Sequence, residues 1–402
     1  MTAWLSVVGI GDDGLEGLAG IARAAIDEAE VLAGGARHLA MLGDGDKRPR
    51  LEWGSPIADT INEIKEHRGS RVAVLASGDP MWFGIGATLA RSFASDEMRI
   101  IPAPSAFSLL AARMGWALND VECLSVHGRA FDRLRYFIAP GARLLVLAND
   151  GGTPAAVASL LVELGYGESG LCVFAHMDGE GEEKTEAKAA GWGYRKCADL
   201  NTIAINCMAG PDAVVRSRSP GLPDEAYQHD GQITKREVRA ATLAALGPGP
   251  LEILWDVGAG CGSISIEWMR AEPTARALAI ESDCDRAGLI EENALTLGVP
   301  GLELVRGAAP EALGGLDVPD GIFVGGGLSV PGLIETCWQR LMVGGRLVAN
   351  AVTFEGEQRL MELAQELDGE LVRFEISRSA KLGRFGGWEP LKPVTQLRVV
   401  KS

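Results

Sequence analysis

The sequence predicts an α/β protein with at least two domains, each built on a sheet covered by helices. Three observations predict this class. The chain has 402 residues, which exceeds the usual size of one domain. Short apolar runs alternate with helical segments in both halves, which is typical of parallel sheets covered on both faces. Two glycine-rich turns each follow an apolar run directly, as expected where a strand passes into a helix.

Apolar runs mark the strands of the N-terminal half. We predict these strands at residues 4–8, 72–76, 144–148, 171–174 and 202–207. Helical segments lie between them, and residues 154–164 are an example. There Thr153 can cap the helix, and Pro154 occupies the first helical position. The first domain is therefore expected to extend to residue 208.

A proline-containing, charged stretch at residues 209–231 separates the halves. It shows neither helical nor strand periodicity, so we expect a linker with few tertiary contacts. The second domain is expected at residues 232–402, where the alternation is more regular. Its seven predicted strands lie at residues 251–257, 277–281, 302–306, 321–324, 346–351, 370–376 and 395–400.

Composition excludes several classes of function. The chain carries 38 basic and 54 acidic residues, a net charge of −16, which argues against nucleic-acid binding. No apolar run reaches membrane-spanning length and the first residues lack a basic signal region, so we expect a cytoplasmic protein without membrane contacts. The seven cysteines are scattered without metal-ligand spacing, so we expect neither disulfides nor a metal site.

The sharpest motif is DVGAGCGSISIE, which begins at Asp256. Gly258, Gly260 and Gly262 allow backbone to approach a ligand closely. The next predicted strand ends in Glu281, which is placed to accept hydrogen bonds from ribose hydroxyls. A glycine loop with such an acid is more specific than glycines alone, and it fits either NAD or S-adenosylmethionine.

The N-terminal half has a weaker fingerprint. VVGIGDDG, at residues 7–14, has the glycine spacing of a nucleotide loop, but no acid ends the following apolar stretch. A second turn, SGDPMWFGIG at residues 77–86, follows a buried strand. It is equally well explained as a strand–helix turn in which Asp79 caps the helix.

Taken together, the motifs resemble two known families. GIGDDGLEGL, SGDPMWFGIG, IPAPSAFSLLAARMGW and LSVHGR resemble the tetrapyrrole (class III) methylases, and more narrowly those that methylate C5 of a corrin precursor. ITKREVRAATLAAL, DVGAGCGSISIEW, RGAAPEAL and FVGGG resemble class I methyltransferases that methylate C15 and decarboxylate. In this order, the chain is similar to fused enzymes of cobalamin biosynthesis. Residues 172–184 depart from the family pattern, which puts substrate contacts of that loop in doubt.

The resemblance implies a fold and a reaction. The N-terminal domain would contain two α/β subdomains, and the C-terminal domain would be Rossmann-like with a mostly parallel seven-stranded sheet. The reaction would be methylation of precorrin-6Y at C5 and C15 with loss of CO₂ from the ring C acetate, giving precorrin-8. Positioning of the reactants is the main requirement, so neither a metal nor a Ser or Cys nucleophile is needed. We assign no catalytic residue.

The resemblance also implies ligands and their sites. S-adenosylmethionine would bind at two sites per chain, and the macrocyclic polycarboxylate would be held by cations. The expected cofactor contacts are Thr234, Asp256, Gly258, Gly260, Gly262, Glu281, Ala308 and Ala309 in one site, and Gly78, Asp79, Pro80, Ser105 and Ala106 in the other. The candidate substrate contacts are Lys235, Arg239, Arg378, Lys381, Arg384, Arg113, His127 and Arg129. Members of both families tend to self-associate, so a homo-oligomer is expected.

Two alternative functions remain open from the sequence. One is an NAD-dependent oxidoreductase with a C-terminal Rossmann domain. The other is the same pair of methylations on a cobalt-containing macrocycle.

Overall fold

The protein forms two compact units in a computed structural model that describes residues 3–193 and 196–402. Unit 1 consists of Met1–Arg129 and Phe137–Val214, and unit 2 consists of Ala130–Tyr136 and Val215–Ser402. The two units follow the order of the predicted domains. The boundaries at residues 208 and 232 stay a prediction.

The first part of unit 1 is a parallel sheet of five strands. These are β1 (Leu5–Ile10), β2 (Val31–Gly34), β3 (Arg50–Glu52), β4 (Val72–Ser77) and β5 (Met98–Ile101). Their order is β3-β2-β4-β1-β5. The helices of this part are α1 (Gly20–Asp27), α2 (Ala36–Ala40), α3 (Ile57–Glu66) and α4 (Ile85–Leu89). β1 pairs with β4 so that Ile10 lies opposite Ser77, which brings the loops after both strands to one edge.

The second part of unit 1 is a mixed sheet. Its elements are α5 (Ala106–Met114), β6 (Glu122–Ser125), α6 (Leu134–Phe137), β7 (Arg143–Leu147), α7 (Thr153–Glu163), β8 (Gly170–Ala175), β9 (Glu183–Lys188) and β10 (Asn201–Asn206). In the order β6-β7-β10-β8-β9, only the pair β6–β7 is parallel. The expectation of a parallel sheet is wrong here, because the described residues between β8 and β9 and between β9 and β10 form no helix long enough for a crossover.

Unit 2 contains the predicted seven-stranded sheet. Its elements are α8 (Arg236–Leu246), β11 (Ile253–Val257), α9 (Ser263–Ala271), β12 (Arg276–Glu281), α10 (Cys284–Thr296), β13 (Glu303–Arg306), β14 (Gly321–Val324), α11 (Leu333–Arg340), β15 (Arg346–Ala351), α12 (Phe354–Glu366), β16 (Glu370–Phe374), β17 (Ser377–Leu382), β18 (Phe385–Pro390) and β19 (Val394–Val400). The strand order is β13-β12-β11-β14-β15-β19-β16, and β19 runs antiparallel to both neighbours. The strands β17 and β18 form a separate hairpin that the sequence did not predict.

Burial of the central strands explains why unit 2 folds in this way. Trp255, Leu278 and Ile322 come from three adjacent parallel strands and are at most 3% exposed. Helices cover both faces of the sheet, so its central strands read as nearly continuous apolar runs. The carboxyl ends of β11, β12 and β14 therefore meet at one edge, where a ligand crevice is expected in such folds.

Part of the predicted linker is packed into unit 2, which corrects the expectation of few contacts. Leu222 and Tyr227 are buried against Cys261 and Ile266, and the nearby Asp224 is also buried. The apolar residues of this segment show no helical or strand periodicity, because its backbone is mostly irregular where it packs against unit 2. Apolar burial by irregular backbone leaves no periodic signal in a sequence.

No helix in the described part of the chain is long and apolar enough to cross a membrane.

Candidate cofactor and substrate sites

Unit 2 has a cavity of about 950 Å³ at the carboxyl ends of β11, β12 and β14. Small-molecule sites in proteins usually have volumes of about 300–1,000 Å³. Six of the predicted cofactor contacts line this cavity, and they come from four separate parts of the chain. These residues are Thr234, Gly258, Gly260, Glu281, Ala308 and Ala309.

The glycine loop leaves room for a ligand. Gly258 and Gly260 have φ angles of +70° and +60°, which residues with side chains rarely adopt. A Cβ on Gly258 would come within 3.2 Å of the Gly326 nitrogen, whereas a Cβ on Gly260 would meet nothing closer than 3.9 Å. The first glycine thus permits close approach of two loops, and the second keeps the cavity wall open.

Glu281 is held at the cavity wall by backbone donors. Its Oε2 accepts a hydrogen bond from Gly260 N at 2.8 Å, and its Oε1 accepts bonds from Ser282 N and Asp283 N at 2.9 Å each. An ionised carboxylate has about four acceptor positions, so at least one remains for a ligand hydroxyl. The structure therefore brings the glycine loop and the acid together at one wall of the cavity.

Asp256 and Gly262 are not part of the cavity wall, which corrects their prediction as cofactor contacts. Asp256 is 1% exposed, and its Oδ2 accepts bonds from the backbone nitrogen and hydroxyl of Ser265 at 3.0 and 2.5 Å. Burial raises the pKa of Asp256 to about 6. Gly262 precedes α9, and a Cβ there would lie 3.2 Å from Ile290 Cγ2, so this glycine serves packing between α9 and α10.

Arg239 is a buried structural cation, and its prediction as a substrate contact is wrong. Its side chain is fully buried, and Nε lies 2.6 Å from Glu267 Oε1. Nη1 lies 3.2 Å from Asp224 Oδ1 and donates to the Thr234 carbonyl at 2.5 Å. The guanidinium thus supports the cavity wall at Thr234 from behind. The sequence around Arg239 does not show that two buried carboxylates, Glu267 and Asp224, pair with it in the folded protein.

The basic residues near the β17–β18 hairpin are separate from the cavity wall. Arg378 bonds to Asp224 Oδ2 at 3.0 Å and to Glu237 Oε2 at 2.6 Å, so its charge is balanced by two carboxylates. Lys381 and Arg384 lie at the exposed tip of the hairpin. The cavity is instead lined by Lys235, which was predicted, and Lys392, which was not. Lys392 follows β18 and belongs to no recognisable motif, so only the folded structure shows that it lines the cavity.

Unit 1 has a smaller cavity of about 80 Å³ where β1 and β4 end. Of the predicted cofactor contacts, Gly78 and Ala106 line it. Ser105 is buried and caps α5 by accepting a bond from Ser108 N at 3.1 Å, and Asp79 Oδ1 accepts one from Met81 N at 2.8 Å. The structure also packs Pro80 against the turn, since a Cβ on Gly84 or Gly86 would meet the Pro80 carbonyl.

A charged group on this cavity was not predicted from the sequence. Asp12, Arg37 and His176 all line it. Arg37 Nη1 lies 2.5 Å from Asp12 Oδ1, and His176 Nδ1 lies 2.9 Å from Asp12 Oδ2. Asp12 belongs to the glycine fingerprint, and His176 belongs to the stretch that departs from the family pattern. Both segments were noted in the sequence, but nothing in the sequence shows that these two residues are in contact.

The predicted substrate contacts of unit 1 have different surroundings. Arg113 donates to Glu182 and Asp178, so its charge is already paired. His127 and Arg129 are exposed. The Arg129 guanidinium stacks 5.0 Å from the centre of the Phe83 ring, which is 41% exposed. This cation–π contact lies at the protein surface, and substrate binding by Arg129 stays a prediction.

Comparison with known proteins decides the family. Residues 5–188 match the family described as Tetrapyrrole (Corrin/Porphyrin) Methylases, and residues 225–401 match the one described as Precorrin methyltransferase domain. A Sinorhizobium protein named precorrin-6Y C(5,15)-methyltransferase (decarboxylating) is 48% identical over 396 residues, which are 98% of this chain and 96% of that protein. The chain belongs to the precorrin-6Y C5,15-methyltransferase (decarboxylating) family. It is therefore a methyltransferase whose methyl donor is S-adenosylmethionine, and the interpretation as an NAD-dependent oxidoreductase is wrong.

Two shorter relatives each correspond to less than half of the chain. A Salmonella typhimurium protein named cobalt-precorrin-7 C(5)-methyltransferase is 35% identical over 181 residues, 44% of this chain and 87% of that protein. A Pyrobaculum calidifontis protein named "Probable cobalt-precorrin-6B C(15)-methyltransferase (decarboxylating)" is 36% identical over 183 residues, 44% of this chain and 93% of that protein. The fusion thus joins two parts that exist as separate proteins elsewhere.

Proposed function

We propose that each unit of this methyltransferase carries its own S-adenosylmethionine site and its own reaction. Unit 1 would methylate C5, and unit 2 would methylate C15 and decarboxylate the ring C acetate of precorrin-6Y, giving precorrin-8. The observation that carries the proposal is the cavity of unit 2, which gathers Gly258, Gly260 and Glu281 beside two lysines. Separate relatives named for the C5 and the C15 reactions support the division.

The walls of the unit 2 cavity suit decarboxylation. A carboxylate leaves as CO₂ more readily when it is poorly solvated and unpaired, because a cation would stabilise the ground state. Phe323, Val330 and Leu333 supply apolar wall, while Lys235 and Lys392 can hold neighbouring carboxylates. Trp255 is fully buried in the core and is not part of this wall.

Methyl transfer itself asks little of the side chains. S-adenosylmethionine supplies an electrophilic methyl group, and the macrocycle carbon supplies the electron pair. The residues of each site then have to bind both molecules in line and exclude water. Thr234, Gly260 and Glu281 would hold the donor in unit 2, and Gly78 with Ala106 would do so in unit 1.

Full-length variants with one disabled site test the division. Gly260→Val should abolish C15 methylation and CO₂ release while C5 methylation continues, because a branched side chain would enter the unit 2 cavity. Gly78→Val, at a φ of +54°, should have the opposite effect. Mass spectrometry of the product from precorrin-6Y distinguishes the two. If one variant loses both methylations and the other loses neither, the division is wrong.

The substrate and setting remain part of the proposal. The full-length relative is named for precorrin-6Y without cobalt, which favours the metal-free macrocycle over the cobalt-containing one. Self-association and a cytoplasmic location stay predictions.

A further inference from the structure

We propose that His176, oriented by Asp12, accepts the proton that leaves the methylated carbon in the reaction of unit 1. This inference rests on the proposed function, in which unit 1 methylates C5. It assigns a role to the loop at residues 172–184, which departs from the family pattern and for which the resemblance gives no role.

The need for a proton acceptor follows from the balance of the reaction. The ring carbon forms a C–C bond with the methyl group through its π electron pair, and the C–S bond of the donor breaks toward sulfur. The carbon then carries both a methyl group and its hydrogen, and the macrocycle is one positive charge richer. Conjugation returns when the C–H bond breaks, its electron pair enters the ring and its proton passes to a base.

The geometry selects His176 as that base. Its Nδ1 lies 2.9 Å from Asp12 Oδ2, so an N–H at Nδ1 donates to the carboxylate and leaves the lone pair on Nε2. The side chain is 39% exposed and lines the same cavity as Gly78 and Ala106. This is the arrangement in which a carboxylate fixes the tautomer of a histidine base and stabilises the imidazolium that forms.

Asp12 is itself held in place by a second partner, Arg37. Its Oδ1 lies 2.5 Å from Arg37 Nη1. The Arg37 guanidinium also donates to His38 Nε2 at 3.0 Å, and burial lowers the pKa of His38 to about 4, which keeps that ring neutral. Gly179 is required beside Asp12, because a Cβ there would come within 2.6 Å of Oδ2. Arg37 therefore holds the carboxylate, and His176 alone of the two histidines presents an exposed ring edge.

The backbone at His176 supports a functional role. Its φ angle is +48°, a left-handed conformation that residues with a side chain rarely adopt and that is concentrated at functional sites. Its N–H donates to the Leu200 carbonyl at 3.2 Å, which holds the ring over the cavity edge. Two acidic residues of this loop, Asp178 and Glu182, are paired with Arg113 on α5.

A label at C5 separates proton removal from methyl transfer. The full-length chain would be given precorrin-6Y with deuterium at C5 in a single turnover, and mass spectrometry would follow methyl gain and deuterium loss at that carbon. In the unmodified protein both should occur together. In His176→Asn, which tolerates the left-handed backbone, deuterium loss should slow about 10²–10⁴-fold while methyl gain persists. Asp12→Asn should show the same lag to a smaller degree.

Control measurements distinguish loss of the base from misfolding and from failure of the proposed function. His67→Gln, on the same unit and away from the cavity, should behave like the unmodified protein. Nitrogen NMR of the ligand-free chain should show His176 protonated at Nδ1, and this tautomer should be lost in Asp12→Asn. Deuterium loss as fast in His176→Asn as in the unmodified protein overturns the inference alone. Loss of C5 methylation in Gly260→Val overturns the proposed function and this inference with it.

Discussion

Gly260 and Gly247 share a left-handed backbone but differ in what surrounds them. Their φ angles are +60° and +57°, yet Gly260 lines the unit 2 cavity and Gly247 ends α8 outside it. A valine at either position carries a similar backbone cost, so Gly247→Val is a matched control for strain. We expect Gly260→Val to lose one of two S-adenosylmethionine sites in calorimetry and Gly247→Val to keep both. Two undiminished sites in Gly260→Val would contradict the assignment of the loop.

Asp256 gives unit 2 a defined dependence on pH. Burial raises its pKa from 3.8 to about 6, so the folded protein holds this proton more tightly than the unfolded chain. The stability that it contributes is present below about pH 4 and is lost as pH rises through about 6, by roughly 3 kcal/mol. Asp256→Asn, which stays neutral, should remove this fall in the free energy of unfolding between about pH 4 and pH 7. Equal pH profiles for both proteins in urea unfolding would contradict the prediction.

At the scale of elements, buried ion pairs hold the start of α8 to α9. Arg239 on α8 contacts Glu267 on α9 at 2.6 Å, and Tyr227 donates to the same Glu267 oxygen at 2.9 Å. Removal of the Arg239 guanidinium takes the buried cation away from the Glu267 and Asp224 carboxylates. It also takes away the bonds that Arg239 donates to the buried carbonyls of Thr234 and Leu222. We expect Arg239→Met to lower the local stability of unit 2 by about 3–5 kcal/mol, measured by hydrogen exchange at Ile253–Val257.

An exposed arginine provides the control for that measurement. Arg276 pairs with Glu303 and Asp317, but its side chain is 45% exposed, and such surface pairs contribute about 0–1 kcal/mol. Arg276→Met should therefore change hydrogen exchange little. Equal losses in both variants would show that the buried network is not what stabilises this part of the fold.

Prediction from the sequence succeeded for most strands that consist of an apolar run, although it missed the buried four-residue strand Val31–Gly34. All seven strands of the unit 2 sheet were predicted, because runs such as Ile253–Val257 are nearly continuous in apolar residues. The missed strands are short or polar: Arg50–Glu52 has three residues, and Glu183–Lys188 is charged along its length. These strands form because an adjacent strand supplies their hydrogen-bond partners, and the sequence of the strand itself does not show which strand lies beside it.

Site residues could be predicted from the sequence where they lie close together along the chain. Gly258, Gly260 and Glu281 lie at the ends of the neighbouring strands β11 and β12, and the structure brings all three to one cavity wall. Their contact with a cofactor stays a prediction. Partners that are far apart in sequence were missed, as with Lys392 and the pair Asp12–His176, whose members are 164 residues apart. Arg239 and Arg378 were predicted as substrate contacts because the sequence does not show that they pair with carboxylates of the protein.

At the scale of the whole molecule, the position of a cut decides whether unit 2 can fold by itself. Contacts place its main segment at Val215–Ser402, and Leu222, Asp224 and Tyr227 near its start are buried within it. A fragment that begins at residue 215 should fold and bind S-adenosylmethionine. It lacks Tyr136, whose hydroxyl donates to the Arg270 carbonyl at 3.0 Å in unit 2, so a loss of about 1–3 kcal/mol is expected.

A fragment that begins at residue 231 should fail, although it contains every residue that lines the unit 2 cavity. It would leave Arg239 and Glu267 without Asp224 and Tyr227, and it would expose the apolar surface around Cys261 that Leu222 covers. Circular dichroism and calorimetry with S-adenosylmethionine on the two fragments provide the measurement. If the shorter fragment folds and binds as well as the longer one, residues 215–230 are a linker without a structural role, as the sequence first suggested.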